Sequence, residues 1–195
     1  MSTSFLHESL HDLEPAKTIF AGRGSLLRYA HYLELVKSLD TVFLETIAPF
    51  RDQLDTMGWQ QLPERRTAIE DDLLIIAHET GGTVSQADPP NIAGLTKAAS
   101  FSHALGYAYV HCGSFMGAQQ LRKTLLKDKV RLCWPMQTLN AMPPKGFWHQ
   151  FMAGLEDRAA KDNSVADDII EGAKEGFVAA GKVFDLINTP DYTTV

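Results

Sequence analysis

The segment from Phe101 to Leu126 has the composition of a helix that comes close to a flat ligand or to another backbone. Its apolar residues recur at intervals of three and four, which is helical spacing. It also contains Gly106, Gly113 and Gly117, although each glycine costs about 1 kcal/mol relative to alanine inside a helix. Because glycine has no side chain, Gly113 and Gly117 allow either a second helix to pack against them or a bent helix to lie over a planar cofactor.

Other side chains that could carry chemistry show no comparable pattern. No GxSxG, GxxxxGK[ST] or HExxH motif occurs, so a catalytic serine, a phosphate loop and a zinc site are unsupported. The acidic run from Glu70 to Asp72 is predicted to be solvated helix charge. Cys112 and Cys133 are too few for a disulfide framework or a thiolate zinc site, and we expect two reduced thiols.

Composition describes a globular, acidic chain. The 195 residues are 45% hydrophobic and 22% charged, with a net charge of −6, which argues against disorder and against a broad nucleic-acid surface. The N-terminus lacks a basic stretch followed by an apolar one, and no apolar run reaches the roughly 18 residues of a membrane span. Together with reduced cysteines, these features predict a cytoplasmic protein with no nucleic-acid partner and no membrane span.

The elements that must position the glycine segment are all predicted to be helices. Ser25 and Ser164 are predicted caps, and Pro49 is a predicted break. The predicted helices cover, in order, residues 4–17, 26–44 with a continuation towards 54, 64–78, 101–126, 147–158 and 165–188. The stretch 127–145 is predicted to be irregular, and no segment alternates as a strand does. We therefore predict an all-α, single-domain multi-helix bundle over residues 1–195, with a core of about 4–188 and a short disordered tail, 189–195.

The run YVHCGSFMGAQ, from Tyr109 to Gln119, resembles the distal-helix motif of heme oxygenases, especially the bacterial type. Segments similar to other parts of that family follow in the same order along nearly the whole chain. They are Leu6–Leu10, Gly22–Arg23, Leu33–Glu45, Arg65–Leu73, Gly146–Phe151 and Ala173–Phe177. The resemblance implies a heme oxygenase-like helical fold.

The resemblance also implies an activity. The family opens heme oxidatively to biliverdin, releasing iron and carbon monoxide, with O₂ and electrons from a separate reductase. Heme is then both substrate and cofactor, and a biliverdin-using photoreceptor is a further partner that the family allows. The implied heme-binding residues are His7 as iron ligand, Tyr109, Gly113, Gly117 and Phe177. The implied catalytic residues of the distal side are Gly113, Ser114 and Gly117.

This chain departs from the family pattern at three places. Ser114 stands where some members carry an aspartate, and Ala118 replaces the second glycine of a pair. No basic propionate anchor precedes His7. Four basic residues could replace this anchor, and the sequence does not choose among them: Lys17, Arg23, Arg122 and Lys123. His11, one turn after His7, is an alternate ligand, and His111 is a polar contact or another one.

These departures leave two other functions open. One is a heme oxygenase-like protein that binds heme or another tetrapyrrole without degrading it. The other is an interaction bundle in which the glycines serve dimer packing.

Overall fold

The computed structural model describes residues 25–82, 97–127 and 133–187, and every regular element in these ranges is helical. The helices are α1 (Leu26–Ile47), α2 (Arg51–Asp55), α3 (Arg66–Thr80), α4 (Phe101–Leu125), α5 (Gln137–Asn140), α6 (Phe147–Ala159) and α7 (Asn163–Ile187), with 3₁₀ turns at Ala48–Phe50 and Trp59–Gln61. The predicted all-α multi-helix bundle is therefore confirmed. Among the described helices, none is long and apolar enough to cross a membrane.

Most helix boundaries follow local chemistry. The Ser25 hydroxyl accepts the amide of Arg28 at 3.2 Å and caps α1, as predicted. Pro49 lies in the 3₁₀ turn between α1 and α2, because proline supplies no amide donor and cannot continue a helix. Gly81 ends α3 with a φ of 66°, in the left-handed region that glycine adopts readily.

Two predicted helix starts were wrong, and the predicted helix ends differ from the observed ones by one to three residues. The last helix is capped by Asp162 rather than Ser164, because the Asp162 carboxylate accepts the amide of Ser164 at 2.8 Å. The third helix begins at Arg66 instead of Glu64. The predicted N-terminal helix over 4–17 and the predicted tail over 189–195 lie outside the described residues.

Asp72 is fully buried, so the prediction that it is a solvated charge was wrong. Its carboxylate accepts the amides of Gln137 and Thr138 at 3.0 and 2.9 Å. These amides belong to the first turn of α5, where no carbonyl of the same helix can pair with them. The stretch 127–145 was predicted to be irregular, but this carboxylate supports a helical turn within it.

Helix α4 is shared by two hydrophobic clusters. Its first half packs with the second half of α1 and with α2, α6 and α7, and Tyr107 is fully buried there. Its second half, including Leu121 and Leu125, packs with the first half of α1 and with α3 and α5. The segment from Gly113 to Gly117 lies between these two halves. The fold thus fixes α4 firmly on both sides of its glycines.

Helices α4 and α7 run parallel and cross closely. Their contacts advance in the same direction along both helices, from Ser100 on Asp168 to Tyr107 on Glu175. At the crossing, a Cβ placed on Gly106 would lie 2.6 Å from the carbonyl carbon of Gly172, closer than real Cβ contacts. Because both positions are glycine, the two backbones can approach each other directly.

Candidate functional site

The candidate site is an open strip of backbone on α4. A Cβ added at Gly113 or at Gly117 would meet no described atom within 4 Å. This contrasts with Gly106, seven residues earlier on the same helix, where a Cβ would collide with α7. In the part of the chain that the structure describes, no helix therefore packs against Gly113 or Gly117.

Apolar side chains border this strip, which we call the glycine face and define by Tyr109, Gly113, Met116 and Gly117. Met116 is 41% exposed despite its apolar side chain. The ring of Tyr109 lies 5.7 Å from that of Trp148 and meets Phe177 edge-on at 6.5 Å, measured between ring centroids. Phe177 itself is buried in the core. Predicted heme-binding residues Tyr109 and Phe177 are thus in contact, at one end of the strip.

The neighbouring helix α7 also has open backbone at this level. Gly113 and Gly181 each stand four residues after the contact between Tyr109 and Phe177, and a Cβ at Gly181 would likewise meet no described atom within 4 Å. About two turns beyond the contact at Gly106 and Gly172, these Cβ positions on both helices are therefore free of described neighbours. An open, glycine-lined strip with an aromatic border fits a flat apolar ring better than a branched or charged ligand.

The side of α4 behind the glycine face carries a buried polar cluster, which we call the Arg65 cluster and define by Asp40, Arg65, His111 and Ser114. Arg65 Nε donates to Asp40 Oδ2 at 3.0 Å, and its Nη2 donates both to Asp40 Oδ1 and, at 2.9 Å, to Ser114 Oγ. The Ser114 hydroxyl in turn donates to the carbonyl oxygen of His111 at 2.6 Å. The predicted catalytic Ser114 thus has its hydroxyl engaged within the protein.

His111 is a neutral member of this cluster. Its ring lies among Phe43, Trp59 and Phe115, at centroid distances between 5.3 and 6.0 Å. Burial lowers the pKa of His111 to about 4, although the Asp40 carboxylate opposes this shift. Nδ1 lies 3.3 Å from Asp40 Oδ1 but lacks hydrogen-bond geometry, and it has no hydrogen-bond partner among the described residues. With a neutral ring at pH 7, this contact is not an ion pair.

An aspartate, a histidine and a serine lie together here, yet they do not form a nucleophilic triad. In such a triad the imidazole accepts the serine proton. In this cluster that proton goes to the His111 main-chain carbonyl, and Ser114 Oγ accepts from Arg65. Acyl-transfer chemistry therefore has no support from this arrangement.

Candidate ligands for iron are sparse among the described residues, which contain no cluster of three His, Cys, Asp or Glu side chains able to hold a metal ion. A heme needs only one protein ligand, and the predicted ligand, His7, lies outside the described residues together with its alternate, His11. His103 accepts the amide of Ala99 at Nδ1, 3.2 Å away, while Nε2 lies 3.3 Å from Glu175. It therefore has a structural role between α4 and α7.

Of the four residues suggested as substitutes for the propionate anchor, two lie within the described residues and two do not. Lys17 and Arg23 lie outside the described residues. Arg122, near the end of α4, donates through Nε to the Asn140 side chain at 2.6 Å, and Lys123 beside it is exposed. The structure thus places a basic pair at the end of the helix that carries the glycine face, one to two turns beyond Gly117.

Comparisons with family models, curated proteins and solved structures found no match for this chain. The functional interpretation therefore depends on the geometry described above and on the sequence resemblance. Sequence reasoning had missed the Arg65 cluster. Asp40 stands 25 residues from Arg65, and Ser114 stands 49 residues beyond Arg65, so no local spacing connects them. The sequence around Asp40, with Lys37, Ser38 and Thr41 beside it, gave no signal that this carboxylate lies in a buried cluster.

Proposed function

We propose that this protein is a heme oxygenase that opens heme to biliverdin, with the heme held between His7 and the glycine face of α4. The observation that carries the proposal is the open backbone at Gly113 and Gly117, where a Cβ would meet no described atom. A helix gains stability when such glycines become alanine, so their retention at open positions favours a ligand that needs the space. The sequence resemblance supplies the identity of that ligand.

Each residue of the site has a defined part in this proposal. Bound heme supplies the iron and the porphyrin edge that react with O₂, and the electrons come from a separate reductase. His7 offers a neutral imidazole to one face of the ring. Gly113 and Gly117 let the main chain of α4 approach the opposite face closely, while Tyr109 borders the ring at the Trp148 end. Ser114 donates its hydroxyl proton to the His111 carbonyl. In this proposal, main-chain groups and water, rather than the Ser114 hydroxyl, would therefore contact O₂ on that face of the heme.

Titration of the purified protein with hemin, followed by reductant in air, tests the proposal. We expect a sharp Soret band that saturates at one heme per chain and then decays into a biliverdin spectrum. His7→Ala should change the band and remove most turnover, whereas His149→Ala, on the exposed surface of α6, should behave as wild type. An unchanged band and turnover in His7→Ala would contradict the role of His7, and His11→Ala would then identify the alternate ligand.

A second candidate is a protein that binds heme or another tetrapyrrole without oxidising it. The observation that favours it is the engaged hydroxyl of Ser114, which occupies the position of the family's distal aspartate but is bonded to Arg65 and to the His111 carbonyl. A Soret band that persists under reductant and air, with no biliverdin formed, would support this candidate over the enzyme. Absence of any band would contradict both and favour an interaction bundle.

A further inference from the structure

The Arg65–Asp40 pair is almost completely withdrawn from solvent. The Arg65 side chain is 1% exposed and that of Asp40 13%. The guanidinium group also lies 3.8 Å from the centroid of the ring of Phe115, which stands between Gly113 and Gly117 on α4. The pair therefore connects α1 and the start of α3 to one turn of α4.

A buried ion pair of this kind is a poor way to stabilise a fold. Removing two charges from water costs free energy that their mutual attraction only partly repays, and replacement by apolar residues is often neutral or stabilising. The pair instead fixes the relative orientation of the groups that it contacts, because a guanidinium group donates in a fixed planar geometry. Here two donors hold Asp40, and Nη2 reaches on to Ser114 Oγ.

Ser114 connects the ion pair to the α4 backbone through two hydrogen bonds. Its hydroxyl accepts from Arg65 and donates to the carbonyl of His111, one turn earlier. The turn spanned by these bonds includes Gly113, and Gly117 follows within the next turn. Glycines make a helix locally easier to bend, so an open stretch with two of them needs an external constraint if it is to keep one shape.

We infer that Arg65 and Asp40 are positioning residues for the glycine face. They hold the His111–Ser114 turn from behind, so that the backbone at Gly113 and Gly117 presents a fixed surface to a flat ligand in front. The identity of that ligand as heme rests on the proposed function. The constraint on the backbone does not, because every contact that produces it lies within the protein.

The test replaces the pair by apolar residues of similar size, in the double variant Arg65→Met/Asp40→Leu. The matched control is Lys37→Met/Glu70→Leu, which removes a 2.8 Å ion pair between the same two helices, α1 and α3, without reaching α4. Hydrogen exchange of the ligand-free proteins is measured first. We expect amides of residues 113–118 to exchange about ten-fold faster in the Arg65 variant, with residues 104–110 unchanged. The control should match wild type in both segments.

Unchanged exchange at 113–118, or equally faster exchange along the whole of α4, would overturn the inference, because the pair would then be dispensable or merely structural. If the double variant does not fold, Ser114→Ala takes its place. It removes only the hydroxyl and should give the same local increase; wild-type exchange there would likewise overturn the inference.

Hemin binding then connects the constraint to the ligand. Where wild type binds hemin, the Arg65 variant should bind about ten-fold more weakly and with a broader Soret band, while the Lys37/Glu70 control binds as wild type. Equal affinity and band shape in all three proteins would overturn the positioning role towards heme. Failure of wild type to bind hemin would refute the proposed function alone, because the exchange experiment is carried out without ligand.

Discussion

Gly106→Ala tests the close crossing of α4 and α7 directly, because the added methyl group would meet main-chain atoms rather than mobile side chains. It would lie 2.6 Å from the carbonyl carbon of Gly172 and closer still to backbone atoms of Ile169 and Ala173. No rotamer change can relieve such a contact. The two helices would have to separate by about 1 Å in a core that is packed as densely as a crystal.

The size of the effect follows from two opposing contributions. Overpacking of a core costs about 1–3 kcal/mol, and a collision with rigid backbone belongs at the upper end of that range. Alanine recovers about 1 kcal/mol through its better helix propensity. We therefore expect Gly106→Ala to lower the free energy of unfolding by about 2 kcal/mol, which corresponds to a fall in Tm of roughly 4–8 °C for a chain of this size.

Gly113→Ala and Gly117→Ala are the matched controls, since they make the same substitution on the same helix where a Cβ meets no described atom. Here only the propensity gain applies, so stability should rise by up to about 1 kcal/mol. Urea denaturation and thermal unfolding measure all three variants. If Gly113→Ala or Gly117→Ala lowered stability as much as Gly106→Ala, a packing partner would occupy the glycine face and the reasoning would fail.

The same two variants separate stability from ligand binding. If the glycine face receives heme, Gly117→Ala should be at least as stable as wild type yet bind hemin more weakly, because its methyl group occupies the space that the ring needs. Hemin titration followed by thermal unfolding of the apo-protein measures both quantities. Unimpaired hemin binding in Gly113→Ala and Gly117→Ala would contradict a heme placed against this face.

Further predictions concern buried ionisable groups. Asp72→Ala should lower the free energy of unfolding by about 3 kcal/mol in urea denaturation, because two α5 amides lose a charged acceptor; Asp71→Ala should have little effect. Burial holds the pKa of His111 near 4, against 6.5 ordinarily, so the unfolded chain binds more protons between these values. His111 should therefore contribute a fall in stability of roughly 3 kcal/mol as pH drops from about 6.5 to about 4, and His111→Phe should lose this contribution. Burial raises the pKa of Glu34 to about 7, against the opposing charge of Lys37. Its contribution has the opposite sign, so stability falls as pH rises from about 4.5 to about 7, and Glu34→Gln should remove that fall. Denaturant titrations across this pH range measure the contributions of His111 and Glu34 to the free energy of unfolding. The same pH dependence of that free energy in wild type and His111→Phe would contradict the His111 assignment.

Local sequence was sufficient for the helices and most of their ends. Apolar spacing predicted α1, α3, α4, α6 and α7 because a helix on the surface of a core must bury one face at a period of 3.6 residues. Ser25 could be assigned in advance since capping depends on neighbouring residues alone. The error at Asp162 has the same origin, because Asp162 and Ser164, two residues apart, both offered suitable side chains and only Asp162 is used.

Local sequence could not separate one glycine of α4 from another. Gly106, Gly113 and Gly117 lie on one helix and have the same intrinsic properties, yet Gly106 meets α7 and the other two meet no described residue. The difference depends on where α4 and α7 cross. The Arg65 cluster likewise joins side chains from α1, α4 and the residue before α3, and its members lie too far apart in sequence for any periodic pattern to connect them. The tertiary packing therefore determines which backbone is left open and which charges hold it in place, because both depend on distances between helices and not on spacing along one of them.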